Sequence, residues 1–196
     1  EAGVAAIVAE LRLRTERLDI LINNAGATWG DDFETFPWSA WDKILAVNVT
    51  GLFTLTRDLM PMLLAAGSAE CPARVVNMGS VSGTLPMRER AYSYSVSKAG
   101  LHHLTRMLSN EVVARHVTVN AIAPGPFESK MTAFSLASEA GRDQAASSVP
   151  AGRIGLPEDL AGAVLFLCGR AGAFTSGAVI PLDGGMSAAE PKPMWT

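Results

Sequence analysis

Residues 73–125 read ARVVNMGSVSGTLPMRERAYSYSVSKAGLHHLTRMLSNEVVARHVTVNAIAPG, and their pattern decides the fold. ARVVNM (73–78) is a near-continuous apolar run closing on a small-residue turn, GSVSG, which predicts a buried strand. Apolar residues recur at helical spacing from about Ala91 to Ala114, and VTVNAIA (117–123) predicts another buried strand, stopped at Pro124-Gly125. Strands without polar alternation, separated by a helix, imply a parallel sheet covered on both faces.

The same alternation extends outward. Val4, Ile7, Val8 and Leu11 mark the tail of a helix, and the compact run Leu18 to Ile22 ends in NNAG (23–26) as a buried strand. A loop containing Trp29, Gly30 and two Asp follows, and Pro37 and Ser39 open a helical pattern from about Trp38 to Ala66. Downstream, residues 126–150 read as polar and irregular, with apolar insertions at Phe127, Met131, Phe134 and Leu136. Pro157 opens a last helix to about Gly169, and Ala178 to Leu182 is a fourth strand before Asp183-Gly184-Gly185. The expectation is an α/β, Rossmann-type doubly wound parallel sheet in a single domain, 1–196, with only EPKPMWT (190–196) loosely held.

Composition bounds the function. With 16 Lys+Arg against 19 Asp+Glu and 48% apolar residues, the 196-residue chain reads as an ordinary globular domain, which excludes disorder, collagen and coiled coil. A net charge of -3 gives no electrostatic footprint for nucleic acid or an acidic membrane, so a small, mostly uncharged partner is expected. Apolar stretches break well before the ~18 residues of a membrane span. The opening residues lack the basic-then-apolar pattern of a signal peptide, which gives a cytoplasmic reading. Cys71 and Cys168 are far apart and lack metal-ligand spacing, so neither a disulfide framework nor a metal site is expected.

Tyr94 and Lys98 lie four positions apart in the helical stretch, which puts both side chains on one face. A phenol with a pKa near ~10 is a poor proton donor, but a neighbouring cation stabilises the phenolate and suits it to acid and base work. Ser80, at the end of the preceding strand, emerges at the carboxyl edge of the sheet, where open parallel folds place their sites. Each feature has a bland counterpart: a lysine stem lying over an aromatic ring, and a serine serving only the turn.

The ordered set is more specific than its parts. NNAG follows the first strand, Asn48 lies in VNVTG, GSVSG follows the second strand, YSVSK sits in the next helix and NAIAPG follows the third. In that order and on those elements, the chain resembles the short-chain dehydrogenase/reductase family from about Leu18 to Gly185. The resemblance implies a catalytic tetrad of Asn48, Ser80, Tyr94 and Lys98, in which Asn48 holds a relay water and Lys98 also binds the nicotinamide ribose. It places Asn23, Asn24, Ala25 and Gly26 beside the adenosine half of the cofactor. Pro124, Gly125, Phe127 and Ser129 line the nicotinamide, with Ser129 where the family more often has Thr. Asn120 matches a structural asparagine, with turn stabilisation and ligand contact about equally expected of it. Ser80 and Tyr94 are one position farther apart than in many members, the extra residue falling in MRER (87–90).

The implied activity is NAD(P)-dependent reduction of a ketone to a secondary alcohol, with Tyr94 as general acid and NADP as cofactor, NAD not being excluded. SAECPARVVNMGSVSG and AYSYSVSKAGLHHLTRMLSNE resemble the rhamnolipid-pathway branch of 3-oxoacyl reductases, which suggests a 3-oxoacyl or similar ketone. A sugar or steroid alcohol stays open as the substrate. Residues 126–150 suit a substrate lid, with Trp29 or Met87 adding to the wall, although loop-to-core anchoring explains the same apolar residues. The helices of 38–66 and around Tyr94 are apolar on more than one face, and family members commonly form homodimers or homotetramers through them.

One departure is large. Neither GxGxxG nor TGxxxGxG, the turns that cradle a pyrophosphate, occurs in the sequence, so the chain reads as N-terminally truncated. Three strands and two helices would be absent, on the order of 60 to 80 residues, leaving Leu18 to Ile22 as an open apolar edge. That motivates one alternative, an inactive fragment serving as an assembly module; the resemblance adds another, since the family also includes NAD-dependent epimerases and dehydratases. These usually carry an added substrate domain, which this chain does not show.

Overall fold

Four apolar runs separated by turn-forming and helical segments pair, in the computed structural model, into one parallel sheet; residues 1–87, 90–133 and 135–189 are described. The strands β1 (Ile20–Asn23), β2 (Ala73–Met78), β3 (Val117–Pro124) and β4 (Val179–Leu182) lie side by side in chain order. Asn23 pairs with Asn77, Met78 with Ile122 and Pro124 with Leu182, so the carboxyl ends share one edge.

Alternate residues of each strand face opposite layers. On one side Leu21, Val75, Val117 and Val119 pack with Val8 of α1 (Ala2–Arg14), Leu59 and Leu63 of α3 (Leu52–Ala66), and Val112 of α4 (Tyr92–Val112). On the other, Val76 and Ile122 meet Leu167 of α6 (Pro157–Cys168). The expected apolar edge is β1, where Ile20 and Ile22 are each 42% exposed. No helix among the described residues is long and apolar enough to cross a membrane.

The structure refines one expectation and corrects another. The helical pattern of 38–66 is continuous, as expected, but its winding is not uniform: α2 (Trp38–Leu45) passes through a π-helical stretch, Ala46–Gly51, directly into α3. One added residue turns the following apolar face by about 100°, which leaves the pattern helical to the eye. Gly51 permits the widened turn, since a Cβ there would lie 2.8 Å from the Ala46 carbonyl oxygen. The correction falls in 126–150, which contains α5 (Glu139–Ser147). Ser138 caps it by accepting the Gly141 N–H at 3.1 Å, but its polar residues give no apolar period by which to find it. Phe134, residues 190–196, and Arg88 and Glu89 of MRER lie outside the described residues.

Candidate active site

The turns at the carboxyl edge converge on α4. Beyond β2, the Gly79 N–H donates to the Ile122 carbonyl at 2.7 Å, which holds the chain close to β3 as it leaves the sheet. Ser80 follows in extended conformation, buried, its Oγ accepting the Ser82 N–H at 3.2 Å to start the tight turn Val81–Gly83. From α4, Tyr94 and Lys98 project on the same face, and Lys98 Nζ lies 5.5 Å from the Tyr94 ring centroid.

Lys98 does not reach for solvent. It is 5% exposed, and its ammonium donates to the Met78 carbonyl at 2.7 Å. Burial pushes its pKa down to about 8. A cation held below the surface beside a phenol is a different object from a lysine lying over a ring.

Asn48 owes its place to the π-helical stretch, which turns it inward to 1% exposure. Its Nδ2 donates to the Ala27 carbonyl and to Ser97 Oγ, both at 2.9 Å, and its Oδ1 accepts the Ala27 N–H at 2.9 Å. Ser97 in turn donates to the Tyr94 carbonyl at 2.6 Å. The turn after β1 is thereby clamped to the helix that carries Tyr94 and Lys98.

The four residues of NNAG separate into two kinds. Asn23 is buried, and its Nδ2 donates to Thr56 Oγ1 at 3.0 Å and to Asn77 Oδ1 at 2.9 Å, so this amide is engaged inside the core. Asn24, Ala25 and Gly26 are exposed. A Cβ at Gly26 would lie 3.6 Å from Asn48 Oδ1 and 3.7 Å from Lys98 Nζ, which sets this turn directly over the buried cation.

Past β3, Pro124 and Gly125 bend the chain against the Asp183 turn: a Cβ at Gly125 would lie 2.9 Å from Asp183 Cα. Phe127 packs on Gly155 through a parallel bridge and lines a cavity of about 190 Å³ with Arg153 and Gly184. Ser129 is exposed, and its N–H donates to Thr132 Oγ1 at 2.9 Å in a local turn. Asn120 ties β3 to the segment before β4, donating to the Thr175 carbonyl at 2.8 Å and accepting the Ala178 N–H at 3.0 Å. Of its two expected roles, this geometry is the turn-stabilising one.

Ser80 and Tyr94 open into a cleft of about 1000 Å³. Trp29 and Met87 form part of its wall, as expected, and Met131 and Leu136 of the 126–150 region add further apolar surface. Asp31, Asp32 and Arg90 line it as well, Arg90 being ion-paired to Asp32.

This edge fits a nicotinamide dinucleotide. Met78 takes one N–H of Lys98, an ammonium has three, and at Gly26 no side chain occupies the space 3.7 Å from it. Ser97 and His102 are buried polar residues of α4 that were given no role from the sequence; Ser97 lies three residues beyond Tyr94 and His102 four beyond Lys98, so both fall on the inward side of the helix. Helical phase is the signal that could have found them.

Comparison with known proteins agrees with this geometry. Residues 1–187 match the family model described as Enoyl-(Acyl carrier protein) reductase. The rhamnolipids biosynthesis 3-oxoacyl-(acyl-carrier-protein) reductase of Pseudomonas aeruginosa is 46% identical over 185 residues, 94% of this chain and 72% of that protein. The structure titled Pseudomonas aeruginosa RhlG/NADP active-site complex superposes with a TM-score of 0.92 at 46% identity, covering 95% of this chain and 73% of that one. A Burkholderia cenocepacia gluconate 5-dehydrogenase in complex with NADP and tartrate superposes at 0.87 with 28% identity, covering 96% of this chain and 72% of that one.

Proposed function

We propose that this chain, which belongs to the short-chain dehydrogenase/reductase family, is an NADP-dependent oxidoreductase that reduces a ketone to a secondary alcohol. The observation that carries the reading is the buried Lys98 ammonium beside Tyr94, at a cleft that Ser80 also lines. NADPH, when bound, supplies the hydride. Lys98 holds its ribose hydroxyls through the N–H groups not given to Met78, and Asn24 to Gly26 pass beside its adenosine half. The main chain of Asn23 belongs to that same turn, while its side chain keeps the turn in register. Pro124, Gly125, Phe127 and Ser129 line the nicotinamide.

The protein's own residues manage the proton. Ser80 Oγ donates to the ketone oxygen and fixes its direction. Tyr94 transfers its phenolic proton to that oxygen as negative charge develops there, and the Lys98 charge stabilises the phenolate left behind. Asn48 clamps the 24–27 turn onto α4, and the relay water that resupplies Tyr94 through Lys98 belongs to the same proposal.

The cleft favours an apolar ketone. Trp29, Met87, Met131 and Leu136 provide one surface suited to an acyl chain, which supports a 3-oxoacyl substrate under a lid formed by 126–150. Exposed Phe53, Val96 and Met107 on α3 and α4 support a homodimer or homotetramer. A cytoplasmic setting accords with a reductase drawing on the NADPH pool. The relatives described are a reductase and a dehydrogenase, so neither the assembly-module nor the epimerase alternative is favoured.

The test is NADPH oxidation by the protein with a 3-oxoacyl thioester and, separately, a keto sugar acid. Ketone-dependent oxidation with the thioester preferred is expected. Preference for the sugar acid would overturn the substrate class, and no oxidation with any ketone would overturn the activity.

A further inference from the structure

The two glycines that flank Ser80 in GSVSG make room for one side chain. His102 lies one turn beyond Lys98 on α4 and is 5% exposed. A Cβ at Gly79 would overlap its Nε2, and a Cβ at Gly83 would lie 2.8 Å from its Cε1. The imidazole therefore sits in the crook of the turn, and its Nε2 accepts the backbone N–H of Ser80 at 3.4 Å.

Ser80 is constrained on every side of this arrangement. Its carbonyl accepts the Gly83 N–H at 3.0 Å, its Oγ accepts the Ser82 N–H, and its own buried N–H has His102 as partner. A buried backbone N–H left without an acceptor is costly, so loss of the imidazole nitrogen would be relieved by rotation of the peptide and displacement of the hydroxyl.

We propose that His102 is a positioning residue for the reductase reaction, holding the Ser80 peptide, and with it the Ser80 hydroxyl, at the carboxyl end of β2. The role requires an Nε2 free of hydrogen, hence a neutral ring carrying its proton on Nδ1. Burial, together with the Arg106 and Lys98 charges, lowers the His102 pKa to about 4 and keeps the ring neutral at working pH. The inference rests on the function proposed above for Ser80.

The experiment compares His102→Phe and His102→Gln in the protein. Phe keeps the buried ring but sets a C–H against the Ser80 N–H, whereas Gln returns an oxygen acceptor. For Phe, kcat/KM for the ketone is expected to fall roughly 10- to 100-fold with NADPH affinity, read by nicotinamide fluorescence, within about twofold of wild type. Gln should recover most of the loss. Unchanged kcat/KM in the Phe variant would overturn the proposal, as would equal loss in both variants together with weakened NADPH binding. A second measurement needs neither variant nor turnover: the nitrogen-15 spectrum of the wild-type histidines should show His102 as the Nδ1–H tautomer from pH 5 to 8. An Nε2–H tautomer would overturn the proposal even in an active enzyme, while a wild type that reduces no ketone would overturn the function of Ser80 with the tautomer intact.

Discussion

The two faces of the sheet are built from neighbouring residues of the same strands, yet they are held by different forces. On the α6 face, Val76, Ile122 and Leu167 pack with half-buried Leu160, Val164 and Ile180. On the α3 and α4 face, apolar packing gives way toward the carboxyl edge to a hydrogen-bonded chain. Asn23 joins Thr56 of α3 to Asn77 of β2, and Asn77 Nδ2 donates to Thr105 of α4 at 3.0 Å. Asn48, Ser97, Lys98 and His102 continue that polar layer to the site. Around α6 the first face is held mainly by the packing of apolar side chains. The second closes only when four elements meet in one register, because each buried polar atom is costly without its partner. The chemistry sits on the face whose geometry is fixed by bond length. The α6 side also buries polar residues, Arg74, Thr118 and Asn120: Asn120 is hydrogen-bonded to the Thr175 carbonyl and the Ala178 N–H, and Arg74 reaches the Gly169 carbonyl at 3.3 Å while its Nε has no hydrogen-bond partner among the described residues.

Substitutions on each face test that contrast. The largest expected effect is Tyr94→Phe, which removes only the transferable proton: turnover should fall about 10²- to 10⁴-fold with melting temperature and NADPH affinity unchanged. Wild-type turnover there would detach the polar face from the chemistry. Next, Leu167→Ala on the dry face should cost about 2–5 kcal/mol in urea unfolding while leaving KM intact. Asn77→Leu on the polar face should cost less, about 1–3 kcal/mol, since it strands the partners Asn23 and Thr105, but it should depress kcat as well. If the two substitutions alter stability and kcat in parallel, the distinction between the faces is lost.

The smallest effect concerns pH. Lys98 in the cofactor-free protein titrates near 8, below the usual lysine range because it is buried, so its positive charge disappears as pH rises through that value. NADPH affinity should therefore hold below pH 8 and weaken by up to about tenfold per unit above it, measured by fluorescence titration. An affinity flat to pH 9.5 would remove the Lys98 charge from cofactor binding. The stability contribution runs the other way. Above 8 the folded lysine is neutral while the unfolded one is still charged to about 10, so the penalty for burying the ammonium diminishes as pH rises across that window.

The strands were legible because each is a short apolar run ended by Gly, Pro or Asn, and β2 has the bounds expected from ARVVNM. The pairing of Tyr94 with Lys98 was legible because helical spacing fixes a shared face before any tertiary contact exists. The π-helical widening at Ala46–Gly51 was not, since apolar residues on more than one face of 38–66 hide a shift in helical phase, and α5 was hidden because no apolar face marks it. Asn23 shows the limit of motif reading: NNAG places it beside a ligand, while the fold turns its side chain inward to Thr56 and Asn77.

What the amino-acid order determined by itself was the parallel α/β layout, the place of Ser80 just past a strand and the shared helical face of Tyr94 and Lys98, because strand termination and helix phase are local properties. What only the tertiary structure decided was the state of those groups. The ammonium of Lys98 is buried against Met78, and the Ser80 peptide is held by an imidazole 22 residues away. Desolvation and hydrogen-bond partnership depend on what packs from other elements, and no local pattern specifies them.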